Sequence, residues 1–210
     1  MSNLSLVRIV DDNADFRESE SFVLRVEGFN VVTYASAIEF LEKDDPRIPG
    51  CVVLDVRMPG MSGLELKEAM DEKSIGLPVI IITGHGDMDM AVQAFRQGAS
   101  DFLTKADEPT KLFAAVRKAI AKDAEARLRT EGEETARTRW ASLTQREREV
   151  AVRVANGLLN KQIAFELGIS EHTVKIHRAS AMRKLHTSSP AEFIRTLDAA
   201  GALQEQPAES

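Results

Sequence analysis

Five polar side chains stand where short apolar runs stop: Asp11 and Asp12 after LVRIV, Asp55 after CVVL, Thr83 after VIII and Lys105 after DFLT. Three carboxylates, a hydroxyl and an ammonium together suit one kind of chemistry. Carboxylates crowded together repel one another and are tolerated around a hard divalent cation, for which all-oxygen donors suit Mg2+. An aspartate carboxylate is also a nucleophile toward phosphorus, and a cation and a lysine can offset the charge that phosphoryl transfer concentrates. Each residue alone has an ordinary explanation as a helix cap, a turn residue or a solvated side chain. The ordered set is what points to metal and phosphate.

Apolar runs of four to six residues separated by helical stretches read as strands of a parallel sheet buried on both faces, and such sheets bind ligands at the carboxyl ends of their strands. Over residues 5–120 the pattern gives strand 5–11, helix 14–27, strand 30–34, helix 36–43, strand 51–55, helix 63–72, strand 78–83, helix 87–97, strand 101–104 and helix 109–121. This alternation predicts an α/β domain over 1–121, a doubly wound five-stranded parallel sheet with helices on both faces. Gly28 and Gly98 fall where a helix-ending glycine is expected.

Residues 122–140 read as a mixed-charge helical linker, frayed near Gly132. Beyond it, Thr144 is a plausible N-cap with Glu147 as its capping-box partner, and apolar residues at 150, 151, 154 and 155 mark a buried helical face. Further helices over roughly 160–167, 171–185 and 190–200 make residues 141–203 an all-α four-helix domain, and the polar tail 204–210 is expected to be disordered. Lys and Arg number 13 against 20 Asp and Glu over residues 1–120, but 9 against 6 over residues 141–200. The acidic front half argues against nucleic acid binding there, whereas the back half permits it. The single cysteine, Cys51, lies inside an apolar run and reads as a small core residue with no redox role. Neither a secretory leader nor eighteen consecutive apolar residues are present, so a soluble cytoplasmic protein without a membrane partner is expected.

The motifs VDDN, LDVRMPGMSG, ITGHG and DFLTK resemble those of response-regulator receiver domains, over about 120 residues. The resemblance implies that Asp55 accepts a phosphoryl group from a sensor histidine kinase. It implies further that Asp11, Asp12, Asp55 and the backbone carbonyl of Arg57 hold Mg2+, and that Thr83 and Lys105 bind the phosphoryl group. Phe102 matches the aromatic that turns inward on switching, with a simple core role as its alternative, while His85 reads as a loop residue. A rival is a haloacid-dehalogenase-type phosphatase, but that family needs a second aspartate two residues after the nucleophile, where this chain has Arg57. A binding protein rather than an enzyme is expected. One departure stands out: receiver domains usually carry proline after the lysine, and here Ala106 follows. A cis bond before alanine costs about 2.5–4 kcal/mol against about 0.5–1 before proline. The peptide is therefore either trans with a rearranged loop, or strained.

The segment LTQREREV through TVKIHR resembles the helix-turn-helix domain of the FixJ, NarL and LuxR regulators, over about 60 residues. Helix 160–167 would be the scaffold and 171–185 the recognition helix, with Gly168 in the turn. Val174, Ala181, Met182 and Leu185 are placed toward the core; His172, Lys175, Ile176, Ala179 and Arg183 are placed opposite. Lys175 could read a guanine edge or contact phosphate, and Ile176 could meet a thymine methyl. Lys161, Thr173, Arg178, Arg183 and Lys184 are candidates for phosphate contact, and His177 reads as structural. Phe193, Leu197 and Ala200 offer an apolar face, either for dimerisation or for packing within the domain. The expectation is a two-component response regulator of the FixJ/NarL type, phosphorylated at Asp55, dimerising on activation and binding double-stranded promoter DNA. The alternative is a phosphorylation-independent regulator whose receiver serves only as a dimerisation or partner module.

Overall fold

The computed structural model describes residues 5–84, 94, 96 and 98–203. His85, the tail 204–210 and, apart from residues 94 and 96, the helix expected over 87–97 lie outside the described residues. The chain divides into two compact units, one ending at Arg127 and the other beginning at Leu128.

The first unit holds five strands: β1 Leu6–Val10, β2 Asn30–Tyr34, β3 Gly50–Asp55, β4 Val79–Thr83 and β5 Asp101–Thr104. They form one parallel sheet in the order β2-β1-β3-β4-β5. Side chains alternate between faces along a strand. Central β3 accordingly sends Val52 and Leu54 into one apolar core and Cys51 and Val53 into the other, so each run of apolar residues is explained by burial on both sides. Cys51 is fully buried, and burial pushes its thiol up to about 12, as expected for an inert core residue.

The helices begin where side chains can satisfy their first amides. Asn13, Ser36 and Ser62 cap α1 Ala14–Val26, α2 Ala37–Lys43 and α3 Gly63–Glu72, the last with a full capping box through Glu65. A fourth helix, α4, runs from Pro109 to Ala141 without interruption. This corrects the expected fraying near Gly132. A lone glycine costs a helix only about 1 kcal/mol relative to alanine, and here it is embedded in alanine, glutamate and arginine, with Glu133 contacted by both Arg129 and Arg137 one turn away on either side. Asp123 and Arg127, expected in the linker, instead belong to the first unit. The buried Asp123 carboxylate accepts from Gly50 N at 2.8 Å and from Arg127 Nε at 2.9 Å, and Arg127 also donates to the carbonyls of Pro46 and Arg47. Across the same loop, the fully buried Arg8 pairs with Asp44 at 2.8 Å and donates to the carbonyls of Asp45 and Ile48.

In the second unit, α5 Gln145–Ala155, α6 Asn160–Leu167, α7 Glu171–Lys184 and α8 Pro190–Ala199 enclose two small cores. Thr144 and Glu147 form the expected capping box of α5. Gly168, at φ 64°, makes the left-handed turn between α6 and α7 that a residue with a Cβ rarely adopts. Phe193 and Leu197 are buried in their own domain, with Ala200 and Trp140 packed against the same cluster, which decides between the two readings of that face. Among the described residues no helix is long and apolar enough to cross a membrane.

Asp123→Ala would strand a buried amide and an arginine together, and should destabilise the first unit by about 2–4 kcal/mol. Native-state hydrogen exchange should then show lost protection at Gly50 and in α4 around residues 123–127, with α7 unchanged. Unaltered exchange at Gly50 would refute the anchoring role.

Candidate functional site

The sheet register sets the site. Val10 pairs with Leu54, Asp55 with Ile82 and Thr83 with Thr104, so β1, β3, β4 and β5 end almost level. Asp11, Asp55, Thr83 and Lys105 therefore come to one rim, with Asp12 beside them. Carboxylate oxygens of Asp11, Asp12 and Asp55 lie within 4.8 Å of one another. Asp11, Asp55 and Thr83 are buried and Asp12 is exposed. The Lys105 ammonium is 2.5 Å from Asp11 Oδ2 and 3.3 Å from Asp55 Oδ2. At Asp11 Oδ2 that contact is an ion pair without hydrogen-bond geometry, and the oxygen has no hydrogen-bonding partner. A buried carboxylate oxygen left in this way, among hard oxygen donors, fits a cation-binding role.

Burial pushes the Asp55 carboxyl above its ordinary value and the neighbouring Asp11 charge adds to this, while Lys105 and the Arg57 backbone amide pull it back. The side chain of Arg57 is exposed. Backbone approach around Asp55 is close: a Cβ on Gly63 would lie 2.1 Å from the Asp55 carbonyl oxygen, so α3 can start against β3 only with glycine there.

The loop after β5 holds Lys105 with an ordinary backbone. No peptide bond among the described residues is cis, so Lys105-Ala106 is trans. Lys105 N donates to the Thr83 carbonyl at 2.8 Å, and Asp107 closes the turn by accepting from Thr104 N at 2.7 Å and from Thr104 Oγ1 at 2.9 Å. Phe102 is half-buried against the core that contains Val10, Leu54 and Ile81. Sequence reasoning missed Phe16, whose ring centroid lies 4.4 Å from Lys105 Nζ, and Arg17, whose guanidinium donates to the Asp11 carbonyl at 2.5 Å.

On the second unit, Lys161, His172, Lys175, Ile176, Ala179 and Arg183 are exposed, Ile176 to 53%. Val174, Ala181 and Leu185 are buried, Met182 and His177 are half-buried, and the recognition helix has the two faces expected of it. Three further candidates have partners within the domain. Thr173 Oγ1 lies 2.8 Å from Ser170 Oγ, Arg178 reaches Asn160 Oδ1 at 3.5 Å, and Lys184 binds Glu147 at 2.7 Å. Glu147 was legible as a cap but not as the node it forms, because Ser180 and Lys184 reach it only after folding. Burial alone would raise its carboxyl, but hydrogen bonds from Lys184, Ser180 and Thr144 outweigh that and hold it at about 2.

The first unit has the fold and rim of a response-regulator receiver and the second is a helix-turn-helix domain. Family models agree: residues 7–117 match the response regulator receiver domain, and residues 141–197 match bacterial regulatory proteins of the luxR family. The chain belongs to the response regulators that join a receiver to a LuxR-type DNA-binding domain. It is 42% identical over 195 residues to the transcriptional regulatory protein FixJ of Azorhizobium caulinodans, covering 93% of this chain and 92% of that one. It is 40% identical to nodulation protein W of Bradyrhizobium diazoefficiens, covering 95% and 88%. Among solved structures, the response regulator StyR superposes with a TM-score of 0.82 at 43% identity, covering 92% of this chain and 98% of that one. Full-length FixJ from B. japonicum gives 0.57 at 38%, covering 94% and 97%.

The raised Asp55 carboxyl costs nothing below the unfolded value of about 3.9 and is destabilising once pH exceeds its folded value. Without divalent cation at neutral pH, Asp55→Asn should therefore raise the melting temperature of the receiver by about 2–4 °C, and Mg2+ should stabilise wild type more than the variant. An equal Mg2+ response would remove Asp55 from the cation site. Glu147 has the opposite sign: its stabilisation is complete above the unfolded value of about 4.3 and is lost as pH falls toward about 2. Acid unfolding of the helical domain, followed by Trp140 fluorescence, should be less steep below about pH 4.5 in Glu147→Gln.

Proposed function

We propose that Asp55 takes a phosphoryl group from the phosphohistidine of a sensor histidine kinase, and that phosphorylation promotes dimerisation and binding of double-stranded promoter DNA by the helical domain. The observation that carries this reading is the Lys105 ammonium standing between the Asp11 and Asp55 carboxylates at the rim of the sheet. An Asp55 carboxylate oxygen forms a bond to phosphorus as the phosphorus–nitrogen bond breaks; the electron pair stays on that nitrogen, and the imidazole leaves neutral because its other ring nitrogen already carries a proton. Lys105 neutralises charge on the transferred group and Thr83 offers a hydroxyl to its oxygens. Asp11, Asp12, Asp55 and the Arg57 carbonyl would hold Mg2+, which when bound supplies further charge neutralisation. Lys105 reaches Asp55 although Ala106 follows it. That removes the motive for reading the receiver as a degenerate module.

In the helical domain the exposed face of α7 is taken to enter the major groove. Lys175, Ile176 and Ala179 would face base edges, and Lys161, Thr173, Arg178, Arg183 and Lys184 would lie toward phosphates. Lys161 is the most available of these, since Arg183 contacts Ser180 and Lys184 would first have to leave Glu147.

Light scattering with Mg2+, before and after beryllofluoride, should show a monomer becoming a dimer in wild type but not in Asp55→Ala. An unchanged mass in an initially monomeric wild type would overturn dimerisation as the output. Lys175→Ala should weaken operator binding by about 1–3 kcal/mol while leaving phosphorylation from acetyl phosphate intact. Unaltered affinity would remove Lys175 from the reading face.

A further inference from the structure

The ammonium of Lys105 has a third neighbour that neither charge nor strand order explains. Phe16, in the first turn of α1, is half-buried against the core formed by Val7, Leu24 and Leu112, and its ring centroid is 4.4 Å from Lys105 Nζ. Aromatic faces attract ammonium groups at such distances, most strongly where water is partly excluded. The Lys105 side chain is only 21% exposed.

Phe16 is itself fixed from the same pocket. Asp11 Oδ1 accepts from Asn13 N at 2.8 Å, and Asn13 Oδ1 caps Phe16 N at 3.1 Å. Asp11, Asn13, Phe16 and Lys105 thus form a closed circuit, since Lys105 returns to Asp11 at 2.5 Å. A lysine has a long flexible stem that ordinarily keeps its head group in water. At this rim, the ring supplies a surface on which the head group can rest without adding a negative charge to a pocket that already holds three carboxylates. We infer that Phe16 is a positioning residue: its ring face holds the Lys105 ammonium over the pocket and thereby sets the affinity for a phosphoryl group on Asp55. The inference rests on the reading of Lys105 as a phosphoryl contact.

Phe16→Leu keeps apolar volume and removes the ring; Phe16→Trp keeps a ring face. Calorimetric titration of the full chain with beryllofluoride in saturating Mg2+ should show Leu weakened about three- to tenfold, with Trp within about twofold of wild type. Mg2+ affinity without beryllofluoride should be the same in all three. The Lys105 ε-methylene protons, shifted upfield by the ring in wild type and in the Trp variant, should return to ordinary positions in the Leu variant. Wild-type affinity in Phe16→Leu, an equal loss in Phe16→Trp, or a parallel loss of Mg2+ affinity would each overturn the inference by reducing Phe16 to packing. Lys105→Ala tests the underlying reading separately: if it binds beryllofluoride as wild type does, the assignment of Lys105 to the phosphoryl group is what fails.

Discussion

One ammonium facing three carboxylates is the constraint on which the receiver depends. Asp11, Asp12 and Asp55 are held within 4.8 Å of one another, two of them buried, and Lys105 is 2.5 Å and 3.3 Å from the buried pair. Like charges in a low-dielectric pocket would drive these side chains apart if their backbones could yield. They cannot, because each sits at or just past the end of a strand buried in the sheet. The Asp55 carboxyl is raised first by its burial and then by the neighbouring Asp11 charge. A cation bound among the three carboxylates would offset that charge.

Three other buried charges among the described residues are handled in the opposite manner, each matched by partners. Arg8 reaches Asp44 and three carbonyls, Asp123 accepts from a backbone amide and Arg127, and Glu147 accepts from Lys184, Ser180 and Thr144. Buried ion pairs add little net stability over apolar packing, but breaking one is costly because the remaining charge is left unpaired. These clusters therefore fix geometry. The first two pin the loop between α2 and β3, and the third holds α7 against α5. The contrast separates the pocket built to react from the networks built to hold.

The strand ends and their polar residues were legible because burial on both faces writes an unbroken apolar run, and the first residue after the run is necessarily at the rim. Helix starts were legible through Thr144 and Glu147, which are local in sequence. What escaped was of two kinds. Phe16 reads as one more apolar position in α1, and only the fold brings it over Lys105, 89 positions further along the sequence. The Asp123 cluster looked like linker because the helix there has few apolar residues; its ties to the first unit are polar and span 73 positions. Arg8 did leave a trace, as the one charge inside LVRIV, and a charge in a strand buried on both sides signals a buried partner.

If Asp55 is phosphorylated as proposed, Lys105 ties the pocket's response to charge. It carries one positive charge and is nearer to Asp11 than to Asp55. A phosphoryl group on Asp55 would replace the single carboxylate charge with close to two negative charges, and the same ammonium would then be shared between that group and Asp11. Asp11 Oδ2, which has no hydrogen bond, would then depend more on a cation, so cation binding and the phosphorylated state would support each other. Lys105 is joined to Thr83 through the backbone, and Thr83 pairs with Thr104, two residues beyond Phe102. The rim is thus tied by hydrogen bonds to β5, whose Phe102 is half-buried, whereas the side chains of β3 are fully enclosed.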